Sequence, residues 1–124
     1  VSRPGRRRDA GQATVELALV LPVLALIGLL VVQVALVGRG EVMTVHAARE
    51  AARAMAVGEP DAQALRAAMA AGSFPPHRVE VDVGRTGGTV SVQVRYRQAT
   101  SVPIVGALLG DVEHRAEATM RLER

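Results

Sequence analysis

The 124-residue sequence contains no cysteine, no tryptophan and no lysine, and it has one phenylalanine and one tyrosine. Without cysteine there is no disulfide framework, no thiol nucleophile and no thiolate metal ligand, and the compartment stays open. With two aromatic residues in all, a folded core has to be thin and built from valine and alanine. His46, His77 and His114 stand far apart, with no metal-type spacing. No nucleophile–base–acid set stands out among the Ser, Thr, His and acidic residues. Gly84, Gly87 and Gly88 separate two alternating runs, so they read as hairpin-turn residues and not as a phosphate loop. We therefore expect no enzyme, no metal, no cofactor and no small-molecule substrate.

All fifteen basic residues are arginine, beside abundant Ala, Val and Gly. This is the coding bias of a GC-rich genome and not a nucleic-acid signal. The formal net charge of +3 is unevenly placed. Residues 1–10 carry Arg3, Arg6, Arg7 and Arg8 against Asp9, whereas residues 39–124 set eleven arginines against ten acids. The part able to fold is nearly neutral, so no nucleic-acid partner is expected.

What is present in quantity is apolar sequence. Residues 17–38, LALVLPVLALIGLLVVQVALVG, hold no charge and one strongly polar side chain, Gln33. As a helix they cover roughly 33 Å, the thickness of the hydrocarbon layer. The remaining chain is too short to surround such a helix, so the run is a membrane-spanning segment in contact with lipid. Arginine-rich short flanks stay cytoplasmic, which places the N-terminus inside and the C-terminal region outside the cytoplasmic membrane. Pro22 removes one backbone donor and should bend the helix. Gln33 is either a hydrogen-bonding site for another helix or a tolerated lone amide.

The division that follows is a basic leader (1–11), a spanning helix (12–40) and an extracytoplasmic domain (41–124). Residues 1–10 are expected to be disordered. Helical periodicity resumes over 41–57 after a joint weakened by Gly38 and Gly40, with Val42, Val45, Ala48, Ala52 and Met55 on one face. Arg49, Glu50 and Arg53 fall off that stripe, as a solvated face with local ion pairs or as a partner contact. Asp61 is an N-cap or first-turn acid for a helix over 62–71, and 73–76 form a linker. Val79, Val81 and Val83, then Val90, Val92, Val94 and Tyr96, alternate with polar residues as a β-hairpin turning over 84–88. An apolar crossover, 100–110, is expected to form a short helical turn against the sheet or the membrane surface. A last strand spans about 112–122, with Ala116, Ala118, Met120 and Leu122 on one face. The expected fold is α+β: a long transmembrane helix continuing into an amphipathic one, packed with a three-stranded antiparallel sheet.

Gly11 precedes Glu16 by five residues, between the basic tail and the apolar run. Taken alone, Gly11 is a flexible residue before a helix and Glu16 a first-turn acid. An ordinary secretory signal would have a shorter apolar core followed by a small-residue cleavage site, and none follows here. The arrangement resembles type IV pilin-like precursors. That resemblance implies cutting by a prepilin peptidase between Gly11 and Gln12, with Glu16 as the fifth mature residue. The block GQATVELALVLP (11–22), the post-membrane AAREAAR (47–53) and the closing AEATMRLE (116–123) are similar to TadE-like proteins of tight-adherence (Flp-type) pilus systems. Ala51 stands where glycine is common in that family, and Leu17 follows the acid where the major Flp pilins carry tyrosine. The chain is also longer than those pilins, which favours a minor pseudopilin. The resemblance implies partners among prepilin peptidase, other pilin-like proteins and pilus-assembly proteins. The rival readings are a signal-anchored extracytoplasmic binding module unrelated to pili and a small secreted domain.

Overall fold

In the computed structural model, which describes residues 5–123 and side chains from residue 8 onward, one helix runs the length of the molecule. Helix α1, Gly5–Ala56, spans 52 residues without a break. Of the basic tail, Arg3 and the side chains of Arg6 and Arg7 lie outside the described residues. The expectation of a disordered tail is corrected over residues 5–10, which are helical. Arginine and alanine are good helix formers, and the spanning helix propagates into them once nucleated. Pro22 lies inside α1.

The expected joint at Gly38 and Gly40 is absent, because packing overrides the low helix propensity of glycine there. Gly40 is buried, and a Cβ on it would meet Gln98 Oε1 and lie 2.6 Å from His114 Nε2. Gly38 is open, with no atom within 4 Å of an added Cβ. Helix α1 ends at Ala56, and Gly58, in the left-handed region (φ 86°), turns the chain with its N–H on the Met55 carbonyl.

Helix α2, Asp61–Gly72, runs back along α1 and buries Ala64 and Ala68. Pro60 occupies the cap position, so Asp61 is a first-turn acid, favoured by the helix dipole. The segment expected as a linker is more ordered than that. Ser73 ends α2 in the left-handed conformation, Phe74 is buried, and a single 3-10 turn, Pro76–Arg78, leads into the sheet.

Strands β1 (Val79–Thr86), β2 (Thr89–Gln98) and β3 (Val112–Arg121) form one antiparallel sheet in the order β1-β2-β3. The hairpin turn is only Gly87-Gly88, both with positive φ (57° and 79°), as a two-residue turn matched to strand twist requires. Gly84 lies within β1, opposite Ser91. On the inner face Val92 pairs with Val83 and Ala118, and Tyr96 with Val79 and His114. A short helix, α3 (Val105–Leu109), interrupts the crossover from β2 to β3.

The core forms where this face meets α1 and α2: Val79, Val90, Val92 and Val94 against Ala47, Ala48, Ala51, Ala52 and Met55, with Ala64 and Ala68 beside them. The expected stripe on α1 holds at Ala48, Ala52 and Met55, all buried, and fails at its start, where Val42 is 66% exposed and Val45 half-buried; the covered face extends instead through Gly40, Thr44, Ala47 and Ala51. Small residues let the strands and α2 approach the helix axis closely, and branched valine cannot.

The sheet lies lengthwise on the helix. At one end Gln98 Nε2 donates to the Leu36 carbonyl (3.0 Å), and at the other the Glu123 N–H donates to the Ala56 carbonyl (2.9 Å). The twenty residues between Leu36 and Ala56 rise about 30 Å, close to the roughly 33 Å of a ten-residue strand.

Replacing Gly40 by alanine should destabilise the full chain by about 1–3 kcal/mol, because the methyl group overpacks the contact with Gln98 and His114. Gly38→Ala should be neutral or stabilising by up to about 1 kcal/mol. Thermal melts of the detergent-solubilised protein, followed by circular dichroism, compare the two.

A second prediction concerns acid. The Arg85 guanidinium hydrogen-bonds the Asp61 carboxylate and holds it below its ordinary value, tying α2 to β1, and Arg115 does the same to Glu113. A carboxylate whose pKa falls on folding adds stability above its unfolded value, near 4, and loses it as pH drops through the lower folded value. The melting temperature should fall from about pH 4 downward, less steeply in Asp61→Asn. Both pairs are exposed, so the difference should shrink in high salt.

Candidate functional site

The N-terminal half of α1 stands alone. Every residue from 8 to 28 is exposed, including Val15, Leu17, Leu19, Leu24 and Ile27. A contiguous apolar surface of this size is foreign to a water-soluble monomer. The helix is long and apolar enough to cross a membrane, near the N-terminus.

Gly11, Gln12 and Glu16 occupy the start of this stretch. All three are helical and exposed, and nothing approaches within 4 Å of a Cβ built on Gly11. The Gln12 side-chain amide donates to Glu16 Oε1 (3.3 Å), and Thr14 Oγ1 donates to the Ala10 carbonyl (2.9 Å). This turn is helical, so any partner that needs an extended backbone beside Gly11 would first have to unwind it. With no tertiary contact over residues 8–16, unwinding breaks only the helix's own hydrogen bonds.

Gln33 differs from its neighbours. Val31, Val32 and Val34 are more than half exposed, whereas Gln33 is 4% exposed and its Oε1 has no hydrogen-bond partner among the described residues. The chain's own domain covers it, so it does not lie on the open face of the helix. Pro22 is exposed, on the unaccompanied part of α1.

A polar joint fastens the domain to α1 just above Gln33. His114 is 3% exposed, and its ring lies 2.9 Å from Glu41 Oε2 through Nδ1 and 2.8 Å from Gln98 Oε1 through Nε2. Gln98 presents its NH₂ to the Leu36 carbonyl, which can only accept, and this fixes Oε1 as the atom facing the ring. Both partners of the ring are thus acceptors. A ring with a proton on each nitrogen satisfies both, and a singly protonated ring satisfies one. Thr44 Oγ1 closes the joint by donating to the Gly40 carbonyl (2.8 Å). Tyr96 stacks between Phe74 (4.2 Å) and His114 (6.1 Å), which gathers both aromatic side chains of the protein at this level.

His114 and Gln98 carried no role in the sequence reading, although a signal for both was available. Each shares the parity of the inward residues of its strand, Ala116 and Ala118 for one and Val92 and Val94 for the other. A polar residue at an inward position is buried, and a buried polar group needs partners.

Arg49 and Arg53 are exposed and Glu50 half-buried, and none of the three forms an ion pair among the described residues. They sit on the flank of α1 away from the alanine stripe. On the outer face of the sheet a shallow recess is lined by arginines that are mostly paired. Arg95 bridges Glu80 (2.9 Å) and Asp82 (3.0 Å), and Arg115 pairs with Glu113 (2.8 Å). Among the described residues no group of three His, Cys, Asp or Glu is placed to hold a metal ion.

Residues 11–53, about a third of the chain, match the family model described as TadE-like protein. No curated protein and no solved structure matches the chain.

Replacing His114 by leucine keeps the volume and removes both ring nitrogens, leaving Gln98 Oε1 without its partner. We expect a loss of about 1–3 kcal/mol in the thermal melt of the solubilised full chain.

Proposed function

We infer that this chain, TadE-like over residues 11–53, is a minor pseudopilin: a single-pass membrane protein that takes part in tight-adherence pilus assembly and secretion. The observation that carries the reading is where the match begins. It starts at Gly11, the residue after which a prepilin peptidase would cut, and runs through Glu16 and the unaccompanied apolar helix.

On this reading the arginines at 3, 6, 7 and 8 hold the N-terminus in the cytoplasm, and the domain from residue 41 onward lies outside. Cutting Gly11–Gln12 removes those arginines and frees an α-amino group on Gln12. A carboxylate at the edge of the hydrocarbon is costly without a partner. Glu16 has the Gln12 amide in the uncut chain, and in an assembled bundle it would take the α-amino group of a neighbouring subunit. The exposed apolar residues of α1 would pack with the helices of other pilin-like proteins, with Arg49, Glu50 and Arg53 free to meet assembly partners above the membrane. The protein is a substrate of the peptidase and not itself an enzyme. Its outer domain would cap, initiate or anchor the fibre.

N-terminal mass spectrometry of the membrane-extracted protein, with and without the peptidase, tests this. A mature terminus at Gln12 is expected, lost in the peptidase deletion and in Gly11→Leu. The same uncut terminus in every strain would overturn processing and leave a signal-anchored binding module, with Glu16 reduced to a helix-start acid.

A further inference from the structure

The crossover between β2 and β3 leaves the sheet at its membrane end. It starts after Gln98, which is bonded to the Leu36 carbonyl inside the apolar run, and it packs against α1 through α3. On α1, Leu29, Gln33, Leu36, Val37 and Gly40 are the half-buried or buried positions, spaced as one helix face. The domain therefore reaches about two turns below Leu36, into a segment whose other faces are open valine and leucine. This end of the domain stands at the level of the bilayer and not above it.

At that level the crossover turns its largest apolar side chains outward. Leu108 is 80% exposed, Ile104 62% and Leu109 58%, whereas Val102 and Val105 are buried beneath them. This is not a loop that failed to collapse. The Thr100 hydroxyl donates to the Gly110 carbonyl and closes its neck, and the Gly106 N–H donates to the Val102 carbonyl (2.8 Å). Gly106 is required for that closure, since a Cβ there would lie 2.6 Å from the Thr100 carbonyl oxygen. Ile104 sits at the centre of a tight turn with φ 67° and ψ −55°, in which the Val105 N–H reaches back to the Pro103 carbonyl (2.7 Å). Such a γ-turn is rare and strained, above all for a β-branched residue. The strained turn leaves Ile104 exposed, and strain of this kind gathers at functional surfaces.

We propose that the crossover, residues 99–111, is a second membrane-contacting element, which seats Ile104, Leu108 and Leu109 in the headgroup layer of the leaflet where the spanning helix emerges. Lipid is the occupant favoured by continuity. The crossover packs against α1, whose apolar run carries the exposed Val31 and Val34, and an apolar surface at the interface loses its contact with water by sinking. Charge agrees with this depth. Asp111, at the base of the crossover, is paired with Arg78 (3.5 Å), and the exposed Arg39 stands at the same end as a headgroup anchor. With contacts at α1 and at the crossover, the domain would be held upright on the membrane at a fixed rotation about the helix. The inference rests on the membrane-spanning reading of α1 and is independent of cleavage at Gly11.

The absence of tryptophan makes the test direct. The full chain is reconstituted in phosphatidylcholine and phosphatidylglycerol vesicles carrying single substitutions: Leu108→Trp or Leu109→Trp in the crossover, Leu24→Trp in the span and Val57→Trp at the far end of α1. All four positions are exposed, so none disturbs the core. We expect blue-shifted emission from both crossover variants, with most of it lost to lipids brominated near the headgroup end of the acyl chain and less to lipids brominated near the methyl end. Leu24→Trp should be quenched more by the deeper bromines, and Val57→Trp by neither. Red-shifted crossover emission quenched by aqueous iodide, with Leu24→Trp still quenched by lipid, would overturn the inference and keep the span. Blue-shifted emission indifferent to bromines and fading as protein is diluted in lipid would overturn it in favour of a second copy on the patch. If Leu24→Trp escapes the bromines as well, both the inference and the span fall.

Discussion

The architecture depends on α1 being a single uninterrupted helix whose surroundings change along its length. From residue 8 to residue 28 every face is open, and from Leu29 onward one face is covered while the opposite one remains free. Because no break separates these parts, the C-terminal domain does not hang from the apolar helix by a linker. It is built on the anchor, with the C-terminal half of α1 supplying the alanine face on which the sheet and α2 pack. A domain with one Phe and one Tyr has little apolar volume, and removing Ala47, Ala48, Ala51, Ala52 and Met55 would leave the valines of β2 with nothing to cover them. Anchor and core are therefore one element, and a force or rotation applied to the spanning part is delivered to the sheet without slack.

The polar joint explains how a sheet is held in register along a helix with so few large side chains. Alanine against valine gives close approach but little directional preference, since such surfaces slide at small cost. Directionality comes from the ends. The Gln98 amide on the Leu36 carbonyl and the Glu123 amide on the Ala56 carbonyl place the two ends of the sheet on particular helix residues. His114, between Glu41 and Gln98, ties β3 to the same turn that β2 grips. Gly40 permits this because any side chain there would occupy the space of the Gln98 and His114 heads. A buried polar group left unpaired costs more than a paired one gains, so a shift of the sheet by one helix turn would be penalised at both ends.

The sequence showed much of this, and the misreadings have physical causes. Period-two alternation marked all three strands, and the glycine pair marked the hairpin, because strand faces and tight turns are set locally. The face of the 41–57 helix was right at Ala48, Ala52 and Met55 and wrong at its start, for the opposite reason. Hydrophobicity alone prefers Val42 and Val45 there, whereas the structure covers Gly40, Thr44, Ala47 and Ala51, since nearness of approach, and not apolarity, decides which side a sheet can occupy. The joint at Gly38 and Gly40 failed similarly. Local propensity reads two glycines as a weak point, and tertiary contact turns one of them into a fastening. Of the candidate site residues, Gly11, Gln12 and Glu16 were singled out by their place before the apolar run together with the resemblance to pilin-like precursors. His114 and Gln98 depended on a partner more than fifty residues away on α1.

A gradient of stability along α1 follows from these contacts. Opening the helix near its C-terminal end would separate the sheet from its alanine face and break the joint at Gly40, so it is nearly equivalent to unfolding the domain. Opening residues 8–16 breaks nothing beyond the helix's own hydrogen bonds and the side-chain bonds of Gln12 and Thr14. Between them, on the membrane-spanning reading of α1, the medium opposes unwinding, because an unpaired amide in hydrocarbon is costly. Among the described residues, the backbone around Gly11 can thus be extended without disturbing the rest of the helix. That is where the proposed cut falls, and a cut there leaves the anchor, the joint and the sheet as they were.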